Sequence, residues 1–139
     1  SERVGWGYAS AEIINAMHRI RAPFAFSIGA QAAATAALND AAFVAHSHDH
    51  NRQWRGWFSE QVDALPGLRA VPSKANFVLV LFEGGLSAED AYKALMAAGY
   101  ATRWLPGQGL PHGLRITIGT EEEMRAVVDV LRAEVEKAG

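Results

Sequence analysis

Residues 76–82 read NFVLVLF, a continuous apolar run rich in valine and phenylalanine. Aromatic and β-branched side chains favour strands, and a run this short between chain breakers reads as a buried central strand. A central strand must be flanked by others, so this run dictates a sheet in the second half of the chain. Partners are present. LRAV (68–71) reads as a short edge strand, YATRWL (100–105) as another, and LRITIG (114–119) as the last. In that last stretch Leu114, Ile116 and Ile118 alternate with Arg115 and Thr117, the period of a half-buried strand.

The first half is patterned for helices. RVGWGY (3–8) reads as a short strand-like piece with two glycines. Ser10 is placed to cap AEIINAMHRIR (11–21), which carries Ile13, Met17 and Ile20 on one face and stops before Pro23. PFAFS is an extended link, and Ser27 caps IGAQAAATAALN (28–39), whose small side chains permit close approach of another element. Asn39 or Asp40 caps a helix over 40–65, with Phe43, Trp54, Trp57, Phe58, Val62 and Leu65 on its apolar side, ended by LPG. That is longer than the usual helix of about 11–12 residues, and long helices often tie one lobe to another. Farther on, Ser87 caps a short amphipathic helix ended by Gly99, and PGQGLPHG (106–113) reads as a loop. Thr120 and Glu123 form a capping-box pair for the final helix. The order is three helices, then strand–strand–helix–strand–strand–helix. The expectation is an α+β fold, a small sheet of about four strands covered by helices.

Bulk properties narrow the function. The chain has 139 residues, half of them hydrophobic, enough for a core. A net charge of −2 supplies no basic footprint for nucleic acid or anionic lipid. The chain has no cysteine, which excludes disulfides and thiolate metal sites. No apolar run is long enough to span a membrane, and the start lacks a signal-peptide pattern. The expectation is a soluble cytoplasmic protein that engages neither membrane nor nucleic acid. The opening SERVGWGYAS has no methionine and is apolar and aromatic from the outset, which suggests a segment upstream of it.

Several residues could carry chemistry. Arg115, on a rigid strand, could act as a bidentate fork for a carboxylate or phosphate, or could pair with a structural carboxylate or lie on a solvated face. Arg3, in the glycine-rich RVGWG, could bind an anion or be an ordinary surface arginine. Arg103 reads from its pattern as a solvated arginine, and shares a face with Arg115 only if their strands pair in the right register. His46 and His50 have the i,i+4 spacing of two metal ligands. They lack a HExxH glutamate and a third ligand, so a solvated helix face is expected and no metal. Lys74 in SKAN reads as a solvated lysine rather than a cofactor-bearing one, and PGQGLPHG lacks the strand–helix context of a dinucleotide loop.

Taken in order, these pieces resemble one family. RVGWGYASAEIINAMHRIRAPFAFS resembles the stretch after the cofactor lysine in fold-type I pyridoxal-phosphate aminotransferases. The Arg-Val-Gly-aromatic-Gly start and the R-x-PF link are closest to the histidinol-phosphate aminotransferase group, and AQAAATAALND is similar to that group's next helix. PSKANFVLVLF, GYATRWLPGQGLPHGLRITIGTEEEM and the final helix resemble its small C-terminal domain. The resemblance implies that residues 1–24 are a remnant of the large cofactor-binding domain. It implies that 25–139 form the small domain, including the connecting helix 40–65. It implies pyridoxal 5'-phosphate as cofactor, an amino acid and a 2-oxo acid as substrates, and a homodimer in the intact enzyme. Arg115 matches the arginine that holds the substrate α-carboxylate, and Arg3 the arginine that grips the cofactor phosphate. The family's Schiff-base lysine, the aspartate that pairs with the pyridine nitrogen and the ring-stacking aromatic all belong upstream of Ser1. No catalytic residue therefore falls within this chain. It is expected to be inactive alone and to need the missing N-terminal part of the same enzyme as its partner. Such a fragment would arise by proteolysis, by truncation, or because the remainder is a separate chain. The competing expectation is a non-catalytic α+β domain that binds a ligand or a partner protein.

Overall fold

The computed structural model describes residues 4–23 and 26–139. Arg3 and Phe24 therefore lie outside the described residues. Helix α1 spans Ala11–Ile20, α2 Ile28–Asn39 and α3 Ala41–Asp63. Strands β1 (Leu68–Val71) and β2 (Phe77–Phe82) follow, then α4 (Ala88–Ala97), β3 (Arg103–Leu105), β4 (Leu110–Thr117) and α5 (Glu121–Ala138). The four strands form one antiparallel sheet in the order β1-β2-β4-β3. The fold class is α+β, and the element order is the one the sequence patterns indicate.

Local chemistry explains the helix starts. Ser27 Oγ accepts from the Ala30 amide at 3.0 Å, and Asp40 Oδ1 from the Phe43 amide at 3.0 Å. Ser87 Oγ accepts from the Asp90 amide at 3.1 Å. At α5 the capping box is complete, with Thr120 Oγ1 accepting from the Glu123 amide and Glu123 Oε2 from the Thr120 amide. Each bond satisfies an orphan donor of a first turn. Ser10 departs from expectation. It precedes α1, but only its backbone carbonyl is engaged, by the Ile14 amide, and its hydroxyl makes no cap bond.

The described residues of 1–45 and the residues 46–139 form separate compact units. In the first, residues 4–8 are not a strand, because no neighbouring strand of the described residues supplies a ladder for them. The apolar face of α1 is uncovered: Ile13, Met17 and Ile20 are all exposed. Only Ala30 is buried among the described residues of this unit.

The second unit holds the core. Trp54, Phe58 and Val62 from α3, Ala91 and Leu95 from α4, and Met124 and Leu131 from α5 pack with Val80, Leu114 and their sheet neighbours. Burial alternates along β2, with Val78, Val80 and Phe82 inside and Phe77, Leu79 and Leu81 only half-buried. This corrects the reading of NFVLVLF as a buried strand. It is central in the sheet, but the helices of its unit cover one face of it. PGQGLPHG is not wholly a loop either. Pro106–Gln108 make a single 3-10 turn, Gly109 is left-handed, and β4 begins at Leu110 after a register shift between Trp104 and Leu105. That longer β4 pairs with a β3 of only three residues, shorter than YATRWL implies.

Candidate functional site

The less covered face of the sheet carries the arginines. Leu79 on β2 stands opposite Arg115 on β4, and Arg115 stands opposite Arg103 on β3. Directly opposed residues point to the same face, so the register that sequence alone leaves open brings Arg103 and Arg115 together. Trp104 and Leu114, one residue along, face the core instead.

Like charges directly opposite one another are unfavourable in a sheet. A structural role for Arg115 would call for a carboxylate nearby. Among the described residues neither Arg103 nor Arg115 has a carboxylate within ion-pairing distance. The third arginine of the sheet differs. Arg69 on β1 is held by Glu83, with Nη2 donating to Oε1 at 2.7 Å. That hydrogen bond, and then the charge of Glu83, raise the Arg69 pKa above its usual value, while the bond from Arg69 lowers that of Glu83. Arg115 is half-buried. Its Nε is shut from solvent without a hydrogen-bond partner, and its guanidinium carbon lies 5.0 Å from the centroid of the Phe77 ring. Phe77 opposes Thr117 and so sits diagonally from Arg115 on the same face. What remains is a pair of unneutralised cations on a rigid scaffold, a surface suited to an anion with two or more oxygens.

Other candidates take different roles. His46 is exposed, but His50 is half-buried and its Nε2 donates to the Gly119 carbonyl at 2.8 Å. A carbonyl can only accept, so the bond requires the proton on Nε2. His50 therefore ties α3 to the turn between β4 and α5, which corrects its reading as part of a solvated face. No group of three or more His, Cys, Asp or Glu among the described residues could hold a metal ion. Lys74 is exposed at the start of the β2 approach, where Ser73 Oγ accepts from the Ala75 amide. Among the described residues no helix is long and apolar enough to cross a membrane.

The open-faced antiparallel sheet with its helical lead-in is a known arrangement. Residues 1–131 match the family described as aminotransferase class I and II, and the chain belongs to that family. Members of it generally work with pyridoxal phosphate. More particularly, the chain is 58% identical over 140 residues to the histidinol-phosphate aminotransferase of Zymomonas mobilis, with 99% of this chain and 38% of that protein aligned. It is 56% identical over 135 residues to the enzyme of the same name from Sphingopyxis alaskensis, with 96% of this chain and 36% of that protein aligned. The crystal structure of the histidinol-phosphate aminotransferase from Clostridium acetobutylicum shares the fold, with a TM-score of 0.79 at 23% identity over 91% of this chain and 38% of that one. The chain thus spans well under half the length of the relatives it matches.

Proposed function

We propose that this chain is the C-terminal part of a pyridoxal-phosphate-dependent aminotransferase of the histidinol-phosphate type. The whole enzyme moves an amino group between an amino acid or amino-alcohol phosphate and a 2-oxo acid. In this reading residues 1–24 belong to the large cofactor-binding domain and 25–139 to the small one. The intact enzyme is a cytoplasmic homodimer, and the N-terminal remainder is the partner this chain needs for turnover.

The observation that carries the reading is the half-buried Arg115, without a carboxylate partner among the described residues, on the less covered sheet face, with Arg103 directly across from it. Arg115 binds the substrate carboxylate. Both amino acids and 2-oxo acids carry that group, so one fork serves both half-reactions. Holding it from a strand fixes the substrate's orientation and removes rotational freedom before reaction, which is where positioning accelerates a bimolecular step. Arg103 adds a second positive charge to the same anion. Arg3 is assigned to the cofactor phosphate from its sequence match, in a stretch where Gly5 and Gly7 follow it and leave room for close approach. Donors of this kind fit a group bearing phosphate and a substrate bearing carboxylate. When bound, the cofactor supplies the electron sink for loss of the Cα proton.

Substitution in the intact enzyme tests this. Arg115→Ala is expected to lower kcat/KM for the 2-oxo acid by roughly two orders of magnitude or more, the cost of losing two charge-assisted bonds. Arg115→Lys keeps the charge but not the fork, and recovers only part of it. Unchanged kcat/KM in Arg115→Ala would overturn the assignment.

A further inference from the structure

We propose that Phe77 is a positioning residue for Arg115. This rests on the reading of Arg115 as an anion anchor and adds a residue to it.

A free arginine side chain is a poor anchor. It loses rotamer entropy when it grips a ligand. Here a second arginine, Arg103, also stands directly opposite it on the neighbouring strand. Yet Arg115 is not loose on the sheet. Its guanidinium carbon sits over the Phe77 ring at 5.0 Å, inside the range of a cation–π contact. The diagonal placement on β2 and β4 makes this contact a consequence of sheet register rather than of a mobile loop. Nε is the guanidinium nitrogen that is shut from solvent without a partner. A lone buried N–H is costly in general, and the cation–π contact of the guanidinium with the Phe77 ring contributes in the opposite direction. Among the described residues, the terminal nitrogens are not shut in and unpartnered in this way. Phe77 therefore restrains the guanidinium on the arginine face of the sheet. The entropy cost is met in folding and not on binding, which is how preorganisation raises affinity.

The test uses the whole chain with arginine labelled with nitrogen-15, read by NMR at the Arg115 Nε–H, with maleate and inorganic phosphate as probes. In the parent chain that resonance is displaced by the ring current of Phe77 and responds to either anion. Phe77→Leu and Phe77→Met keep an apolar side chain but remove the ring. Each returns the resonance toward the other arginines and weakens anion binding by roughly three- to tenfold, as expected of a partly desolvated cation–π contact. Phe77→Tyr keeps the ring and restores both. A merely structural role for Phe77 predicts a lower Tm with the same anion affinity. An Arg115 resonance or an anion affinity that is unchanged in Phe77→Leu and Phe77→Met overturns the proposal. If the displacement is present and lost in these variants, but neither anion perturbs Arg115 in the parent, the anchor reading fails and the stack alone survives.

Discussion

Single positions in this chain are constrained for different reasons, and glycine shows the contrast best. Gly67 follows Pro66 at the exit of α3 with φ of 76°, in the left-handed region. A Cβ there would lie 2.5 Å from Cα of Gly84, and one on Gly84 would lie 2.7 Å from Cα of Gly67. The backbones of two turns are pressed together, fixed by the Glu83 amide donating to the Gly67 carbonyl at 2.7 Å. No rotamer change can relieve a backbone clash. Gly67→Ala is therefore expected to cost at least about 2 kcal/mol, combining left-handed strain with displacement of the facing turn. Urea unfolding measures it, and a loss below half that figure would show that the turns can separate freely. The LPG signal marks the stop of the helix. It does not reveal the contact with Gly84, because that depends on the hairpin geometry of β1 and β2. Arg115 is similar: alternation in LRITIG places it on the other face from the core, but the absence of a carboxylate partner is a property of the assembled sheet.

At the scale of elements, what is local is legible and what depends on register is not. The starts of α2, α4 and α5 follow from Ser27, Ser87 and the Thr120–Glu123 pair, because a capping bond spans three residues and needs nothing else. The half-open state of β2 is hidden, since Phe77, Leu79 and Leu81 are as apolar as the residues facing the core. Those three side chains floor the arginine face. The start of β4 is hidden too, because the glycines and prolines of PGQGLPHG signal a loop while a register shift lets pairing resume at Leu110. The β1–β2 edge offers a pH test. Hydrogen bonding from Arg69 lowers the Glu83 pKa in the folded state. A lowered carboxylate pKa contributes stability above the unfolded value, about 4.3 for glutamate, and loses it as pH falls through the folded value. Both side chains are solvent-exposed, so the contribution is small and salt-sensitive. Thermal melts of the parent and Glu83→Gln should differ slightly at neutral pH and low salt and converge below the folded value. A gap that widens on acidification would contradict the pairing.

At the scale of the whole chain, stability and exposure are divided unequally between the compact units. The core cluster runs from Trp54 to Leu131, entirely within residues 46–139, with Phe58, Leu95, Leu114 and Leu131 fully buried. Each such side chain is worth about 1.5–3 kcal/mol of burial, so this unit has the means to fold cooperatively. The described residues of 1–45 show the opposite balance. Trp6 is 78% exposed, Tyr8 96%, Ile20 86% and Ile28 87%. Helix α1 has ten residues and no buried side chain, below the roughly 12–15 residues at which isolated helices become even marginal. Large uncovered apolar surface recruits partners. Residues 46–139 expressed alone should give a single cooperative unfolding transition with a Tm close to that of the whole chain. The whole chain should self-associate in a concentration-dependent manner by light scattering, and 46–139 should do so less. Replacing Trp6, Ile20 and Ile28 together by serine removes apolar surface without touching the core, and should lower association while leaving the transition in place. A monodisperse monomer of the whole chain across the accessible concentration range would show that this surface is not sticky enough to act. Loss of the transition in 46–139 would show that residues 1–45 contribute to the core's stability after all.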